Sequence, residues 1–149
     1  MTYNWEYSQE FSPNDYFGFV YIIENTLNNK KYIGKKYFWY DRKKKLTKKE
    51  LKEHVGKGRP PRSKRVIVES DWKDYYGSNK YLKEDIKNNG IQHFKRIIVR
   101  LCTNKKELTY WETKLQFVYS VLECPEEWYN DNILGKFYSS DLNERTPVS

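Results

Sequence analysis

The sequence predicts an α+β domain in which a small three-stranded antiparallel sheet is flanked by helices, with a basic insertion after the second strand. Three runs rich in β-branched and aromatic residues have the composition of strands. Two later segments place apolar residues at helical spacing between capping residues. Because 149 residues suffice for one core but hardly for two, we expect a single domain over residues 1–149.

The first two strands are predicted at residues 17–23 and 31–35. The first run is apolar and aromatic, and the polar residues 24–29 between the two runs are rich in turn formers. Two strands joined by about four polar residues form a hairpin. We therefore expect a turn at residues 26–29.

That turn sets the register of the hairpin. Asn25 then pairs with Lys30 and Tyr21 with Gly34, so that Tyr21 and Tyr32 lie diagonally on one face. Gly34 would leave open space opposite Tyr21, in which a ligand could approach. A turn one residue longer or shorter would put the two tyrosines on opposite faces.

The basic insertion is expected at residues 43–75. Residues 30–65 hold 16 basic and 3 acidic side chains, whereas the remainder holds 12 and 17. A helix is predicted over 44–55 with Thr47 as its N-cap, and residues 56–65, rich in Gly and Pro, are expected to be mobile without a ligand. This concentration of charge favours phosphate binding, with a solvated charge run as the alternative. The predicted nucleic-acid contacts are Lys35, Lys36, Lys43, Lys44, Lys45, Arg59, Arg62, Lys64 and Arg65.

The remaining elements follow the insertion. A helix is predicted over 80–89, in which Tyr81, Leu82 and Ile86 face one way, and a third strand over 94–102. A second helix opens with the capping-box pattern of Asn104 and Glu107, and its apolar spacing, including Val118 and Leu122, continues to residue 124. The aromatic arm, residues 1–16, is expected to pack on the domain, with a partner-binding arm as the alternative. Residues 126–149 are expected to form irregular structure that covers the core, with disorder past about residue 143; within them, 133–149 is the C-terminal tail.

Composition excludes several classes of protein. Two cysteines, Cys102 and Cys124, without a CxxC motif or a Cys/His cluster, argue against a disulfide framework and a zinc site. The longest apolar run is too short to span a bilayer, and the acidic, aromatic N-terminus is unlike a signal peptide. We expect an intracellular protein of the cytoplasm or nucleoid, with a viral source left open.

Two short motifs in the hairpin carry a family resemblance. Phe19-Val20-Tyr21 is followed, eleven residues after its tyrosine, by Tyr32-Ile33-Gly34, and Arg42 comes ten residues later. This spaced pair resembles the paired motif of the GIY-YIG nuclease family, with Phe for Gly and Val for Ile in the first triplet. The resemblance covers residues 17–132 and implies the family's α+β fold.

The sequence departs from the family at one position. Many members carry a His four residues after the arginine, and here that position is Leu46. His54, Tyr40 or a lysine of the insertion is left as a substitute. His93, which precedes the third strand, is expected to be structural.

Glu112 is the candidate metal ligand. It lies on the sheet-facing side of its predicted helix between Leu108 and Leu115, where a carboxylate is costly unless something pairs with it. A boundary salt bridge to a lysine is the alternative. The resemblance implies that Glu112 is the sole protein ligand of Mg²⁺ or Mn²⁺.

The resemblance also implies roles for four further residues. Arg42 would hold a phosphate oxygen, and surface charge is its alternative. Tyr21 would act as general base or orient water, which requires that nearby Lys, Arg or the cation lower its pKa; Lys35 and Lys36 are close enough in sequence to help. Tyr32 would hydrogen-bond the water or a phosphate oxygen, although both tyrosines could be plain sheet residues. The family's late asparagine, which supports the phosphate or the site, corresponds to Asn130, with Asn132 as a rival.

The sequence as a whole therefore predicts a metal-dependent endonuclease that acts on duplex DNA, with no membrane or small-molecule cofactor partner. The basic insertion would follow the DNA backbone, and the aromatic residues 37–40 would stack or wedge on bases. The alternatives are a non-catalytic nucleic-acid-binding module on a degenerate version of the same fold, and a partner-docking protein that uses its aromatic arm.

Overall fold

The computed structural model of the protein describes residues 3–54, 56, 58–59 and 61–142. The elements form an α+β fold, as predicted. In this part of the chain they are β1 (Trp5–Glu6), β2 (Gly18–Asn25), β3 (Lys30–Tyr37), β4 (Trp39–Lys45), α1 (Lys48–Lys52), β5 (Ser63–Glu69), α2 (Lys80–Asn89), β6 (Phe94–Cys102), α3 (Lys105–Val118), β7 (Asn132–Ile133) and β8 (Phe137–Tyr138).

The main sheet contains the three predicted antiparallel strands and one more. Over the described residues its order is β1-β6-β2-β3, and β2 pairs antiparallel with both β3 and β6. The predicted hairpin register is confirmed, because Asn25 lies opposite Lys30 and Tyr21 opposite Gly34. The added strand, β1, runs parallel to β6, so the sheet is mixed.

The N-terminal arm packs on the sheet through its aromatic residues, as expected. Trp5 is buried, and its indole N–H donates to the backbone oxygen of Trp72 at 2.9 Å. The ring centroids of Trp5 and Phe19 lie 4.9 Å apart, as do those of Phe38 and Trp72. Large rings at these spacings bury much apolar surface and add edge-to-face attraction. The arm is therefore part of the core.

α3 packs over β2, β3 and β6. Its N-terminus is capped as predicted, with the Asn104 side chain accepting from the Glu107 amide at 2.9 Å. The predicted end at residue 124 is wrong, because the helix ends at Val118. Ser120 takes a positive φ of 54°, and the Val121 amide donates to the backbone oxygen of Gln116, as at a helix C-terminus closed by a left-handed residue. Val118 is consequently exposed, whereas Leu122 still reaches the core from the turn that follows.

The described residues divide into two compact units, one of which is Trp39–Ser70. In this unit β4 and β5 form an antiparallel ribbon. The helix predicted over 44–55 is therefore wrong at its start, since Lys44 and Lys45 belong to β4. Thr47 caps α1 in a capping box, as predicted, while Val55 lies outside the described residues.

The C-terminal end of the insertion also differs from the prediction. Residues 63–65, expected to be mobile, lie in β5, because the β-branched run Val66-Ile67-Val68 forms a strand that pairs with β4.

α2 has the predicted bounds, with Asn79 as N-cap and Gly90, at a φ of 88°, as C-cap. Of its predicted apolar face, Leu82 is buried but Tyr81 is exposed. The tail forms the β7–β8 hairpin instead of being irregular throughout, and its residues past 142 lie outside the described part of the chain. None of the described helices has the length and apolar character needed to cross a membrane.

Candidate active site

A small polar cavity lies beside the edge strand β3, where α3, the start of α2 and the segment before β7 meet. Its volume is about 170 Å³. The side chains around it are almost all polar, and buried polar groups need hydrogen-bond partners or a bound ion. The lining residues are Tyr32, Asn79, Glu112, Gln116, Asn130, Asp131, Asn132 and Leu134.

Glu112 projects from α3 into this cavity. Burial raises the pKa of its carboxyl above the usual value, against the charge of Lys35 and a hydrogen bond from the Lys35 backbone amide. The Lys35 ammonium itself lies 3.0 Å from the Thr109 hydroxyl. The protein therefore compensates the charge of the ionised Glu112 carboxylate only in part. Under this condition a bound cation would stabilise the ionised form most.

Gln116 lies one helical turn after Glu112 and faces the same cavity. Its side chain is 94% buried, and its Oε1 has no hydrogen-bond partner among the described residues. A buried carbonyl oxygen without a donor costs free energy, which a cation or an ordered hydroxyl group would recover. Gln116 is not among the residues predicted from the sequence, although its four-residue spacing from Glu112 on a predicted helix indicates a shared face.

The donor set fits a hard divalent cation. Among the described residues there is no group of three or more His, Cys, Asp or Glu side chains that could hold a metal ion. One carboxylate and one amide oxygen suit Mg²⁺ or Mn²⁺, because Mg²⁺ takes oxygen ligands and keeps several of its waters. Glu112 and Gln116 supply such a pair.

Tyr21 and Tyr32 lie on one face of the hairpin, as predicted, with their ring centroids 6.2 Å apart. The space over Gly34 is not open. A Cβ placed on Gly34 would lie 2.6 Å from the Tyr21 hydroxyl oxygen and 2.9 Å from Cε2 of Tyr32. The expectation that a ligand approaches opposite Tyr21 is therefore wrong, because glycine at this position accommodates the two phenol rings themselves.

Tyr21 is almost fully buried, with 1% of its surface exposed. Burial raises its pKa well above the usual value, and Tyr32 and Tyr75 raise it further, the latter also through a hydrogen bond. Lys36 does not offset this, because its ammonium pairs with Asp71 at 2.5 Å and lies over the Tyr75 ring. The expected lowering of the Tyr21 pKa by Lys35 and Lys36 is wrong, and Tyr21 is a neutral phenol at neutral pH.

Tyr32, in contrast, lines the cavity beside Glu112. Burial raises the pKa of its phenol, a hydrogen bond with Ser78 lowers it, and the charge of Glu112 raises it again. Tyr32 is thus a neutral hydroxyl that can donate or accept a hydrogen bond within the cavity.

Asn130 holds the edge of β3. Its Oδ1 accepts from the Ile33 amide at 3.0 Å, and its Nδ2 donates to the Ile33 carbonyl oxygen at 2.8 Å. Two residues earlier along the strand, the Lys31 amide donates to the carbonyl oxygen of Glu127, and its carbonyl accepts from the Tyr129 amide. The segment therefore continues the sheet with backbone bonds and then with a side chain. Both polar side-chain atoms of Asn130 are hydrogen-bonded to Ile33, so this side chain is suited to holding the strand that carries Tyr32 in place.

The rival asparagine has a different environment. Asn132 also lines the cavity, but its side chain bonds locally, with Nδ2 donating to Asp131 and Oδ1 accepting from the Gly135 amide. The second of these bonds closes the turn between β7 and β8. Its side chain therefore makes no bond to the β3 edge in the described structure.

Comparison with known proteins places the chain in a family. The family described as "Putative endonuclease segE, GIY-YIG domain" matches residues 2–133. The chain belongs to this GIY-YIG family. No curated protein and no solved structure gave a significant match. The family description indicates a nuclease, and the matched range includes both the N-terminal arm and the β4–β5 ribbon of this GIY-YIG domain.

The other predicted residues of the GIY-YIG domain lie in Trp39–Ser70. Arg42 is exposed on β4, opposite Val66, and forms no ion pair with a described residue, so its phosphate-binding role stays a prediction. His54 and Tyr40 belong to the same unit. The predicted nucleic-acid contacts in this unit are Lys43, Lys44, Lys45, Arg59, Arg62, Lys64 and Arg65.

Proposed function

We propose that the protein is a metal-dependent endonuclease that hydrolyses phosphodiester bonds in duplex DNA. The observation that carries the proposal is the pair formed by Glu112, with its raised carboxyl pKa, and the unpartnered buried oxygen of Gln116. Both line a cavity next to the Tyr-Ile-Gly strand of a GIY-YIG domain. A buried acid with a perturbed pKa in a polar cleft is a functional-site candidate on physical grounds.

Glu112 and Gln116 would hold Mg²⁺ or Mn²⁺. Such a cation stabilises the charge that develops on the phosphate and on the leaving oxygen. Glu112 would hold it as a carboxylate, and because burial raises the pKa of this group, binding would become weaker as pH falls. The Oε1 atom of Gln116 would supply a second oxygen toward the cation.

Tyr32 would orient the attacking water or a phosphate oxygen, since its hydroxyl faces the cavity. A neutral phenol with a raised pKa is a weak base, so its proposed contribution is hydrogen bonding and positioning. The general-base role of Tyr21 stays a prediction, which its burial disfavours. Tyr21 instead holds Tyr32 through ring contact over Gly34, and Asn130 holds the next residue of the strand, Ile33.

The charge distribution supports DNA as the substrate. Residues 39–70 contain 12 basic and 4 acidic side chains, a net charge of +8 that equals the net charge of the whole chain. Neutralising phosphates with these side chains would release counterions and make binding strongly dependent on salt. Within this segment, Arg42 is proposed to bind a phosphate oxygen.

Cleavage of supercoiled plasmid tests the proposal. We expect nicking with Mg²⁺ or Mn²⁺ but not in EDTA, and its loss in Glu112→Gln. Glu84→Gln, an exposed glutamate of α2, is the matched control and should cleave like the wild type. Cleavage that survives Glu112→Gln would contradict the assignment of the site.

Metal binding gives a second readout that does not depend on activity. Titration of Mn²⁺ followed by electron paramagnetic resonance should show one bound ion in the wild type and none in Glu112→Gln. Gln116→Leu should weaken binding by roughly tenfold or more. A wild type that binds DNA but neither Mn²⁺ nor a cleavable substrate would be the non-catalytic binding module.

A further inference from the structure

The β4–β5 ribbon presents two different faces. Its strands pair over seven residues each, from Trp39 opposite Glu69 to Lys45 opposite Ser63. Because side chains alternate along a strand and paired residues share a face, the central residues divide into two sets. We call the first set the open face; it contains Asp41, Lys43, Lys45, Arg65 and Ile67. The second face contains Tyr40, Arg42, Lys44, Lys64, Val66 and Val68.

The open face is turned to solvent. Ile67 is 74% exposed at its centre, whereas the two valines of the second face, Val66 and Val68, are half-buried. The longer side chains of the second face are exposed; they are Tyr40, Arg42, Lys44 and Lys64. An ion pair between Lys64 and Glu50 links α1 to the second face. On the open face, the Arg65 guanidinium lies 3.7 Å from Asp41, so this ion pair stays within the face and leaves it uncovered.

The composition of the open face is unfavourable for the free protein. Lys43 lies directly opposite Arg65, as Lys44 lies opposite Lys64 on the second face, and like charges at such positions destabilise a pair of strands. What sets the open face apart is the exposed Ile67 at its centre. Ile67 is a large apolar side chain in water, surrounded by charge. Neither feature contributes to folding, and both would become favourable if a polyanion with apolar groups covered this face.

The ribbon has the dimensions of a major-groove binder. Seven residues extend over roughly 23 Å, and the two strands lie about 4.8 Å apart. The major groove of B-DNA, about 12 Å wide, admits a two-stranded β-ribbon. The narrow, deep major groove of an RNA duplex does not admit side chains in this way.

We infer that the open face enters the major groove of duplex DNA and contacts base edges there. This deepens the proposed function, since it takes duplex DNA as the substrate. Arg65, oriented by Asp41, matches the paired acceptors N7 and O6 of guanine. Ile67 matches the methyl group of thymine. Basic side chains outside the open face, such as Lys48 of α1, bind phosphates and do not read sequence.

Groove-modified DNA tests this inference without knowledge of a target sequence. Random duplexes are made with 7-deazaguanine in place of guanine, or with uracil in place of thymine, which remove the N7 acceptor or the methyl group and leave the charge unchanged. Affinity is measured in EDTA. We expect the wild type to bind each modified duplex about fivefold or more weakly than normal DNA.

Two variants assign the contacts. Arg65→Gln should lose the sensitivity to 7-deazaguanine and keep the sensitivity to uracil. Ile67→Ser should lose the sensitivity to uracil and keep the sensitivity to 7-deazaguanine. Lys48→Ala is the control: it should weaken binding to all three duplexes equally and reduce the salt slope by about 1. Circular dichroism and thermal unfolding would check that each variant is folded. Because the two variants are expected to affect different modifications, a loss of structure could not produce both results.

Equal affinity of the wild type for all three duplexes would overturn the inference, and so would an RNA duplex that competes as well as DNA. The experiment is independent of cleavage. A protein that distinguishes the modified duplexes but cleaves no DNA would refute the nuclease proposal and support this one. A protein that cleaves DNA but binds all three duplexes equally would support the nuclease proposal and refute the major-groove inference.

Discussion

Replacing Asn130 by alanine removes two hydrogen bonds at the edge of the main sheet. The amide and carbonyl of Ile33 lose their partners at 3.0 and 2.8 Å, and Ile33 is fully buried. Each such bond contributes about 0.5–1.5 kcal/mol, and a buried group left unpaired costs about 1–3 kcal/mol. Because water can enter the polar cavity and replace part of the loss, we expect destabilisation by about 2–4 kcal/mol, or roughly 5–15 °C in Tm.

Chemical denaturation and plasmid cleavage measure this prediction together. Asn130→Ala should lower kcat more than it raises KM, because Ile33 follows Tyr32 on β3 and its displacement moves that hydroxyl. Asn130→Asp should be destabilised comparably, since a carboxylate accepts from the Ile33 amide but cannot donate to its carbonyl oxygen. The matched control is Asn132→Ala, which loses only local bonds in a turn and should cost less than about 1 kcal/mol.

The opposite pattern would refute the reasoning. If Asn130→Ala unfolds within about 0.5 kcal/mol of the wild type and raises KM for DNA at constant kcat, the side chain binds phosphate. The two bonds to Ile33 would then not hold the site.

Two further predictions concern the tyrosine pair and the candidate metal ligand. Gly34→Ala should destabilise the fold by about 1–3 kcal/mol, because its Cβ would lie 2.6 Å from the Tyr21 hydroxyl oxygen. If the variant unfolds at the same denaturant concentration as the wild type, the Tyr21 ring moves aside without cost. The folded-state pKa of Glu112 is raised by burial, so the stability that its protonated form provides is lost as pH rises through that pKa. In EDTA, Glu112→Gln should therefore have a higher Tm than the wild type at neutral pH. The difference in Tm should shrink as pH falls to about 4. A difference that stays constant across this range would contradict the raised pKa of Glu112.

The hairpin and the helix starts follow from local sequence. The polar turn between two short strands leaves one register in which Tyr21 faces Gly34, and the structure has that register. Thr47, Asn79 and Asn104 cap helices because their short polar side chains accept from amides two or three residues later. Such features depend on neighbours in the chain, so a reader of the sequence can predict them.

Long-range packing decided the features that the sequence analysis missed or misplaced. α3 ends at Val118 despite apolar spacing that continues beyond it, because Ser120 takes a left-handed conformation; residues further on, Glu127 and Tyr129, bond to the edge of β3. The β-branched run of residues 66–68 becomes a strand only because β4 is there to pair with it. Lys35 and Lys36 are neighbours of the tyrosines in sequence, yet their ammonium groups bond elsewhere.

The sequence by itself determined the family, the α+β class, the tyrosine register and the choice of Glu112 as candidate ligand, because each rests on spacing along one or two adjacent elements. The tertiary structure alone decided which groups share the cavity and how they ionise. Gln116 becomes an unpartnered oxygen, and Asn130 a clamp on Ile33, only when distant segments meet. Burial, which no local pattern specifies, then raises the pKa of Tyr21 where neighbouring lysines predicted the opposite.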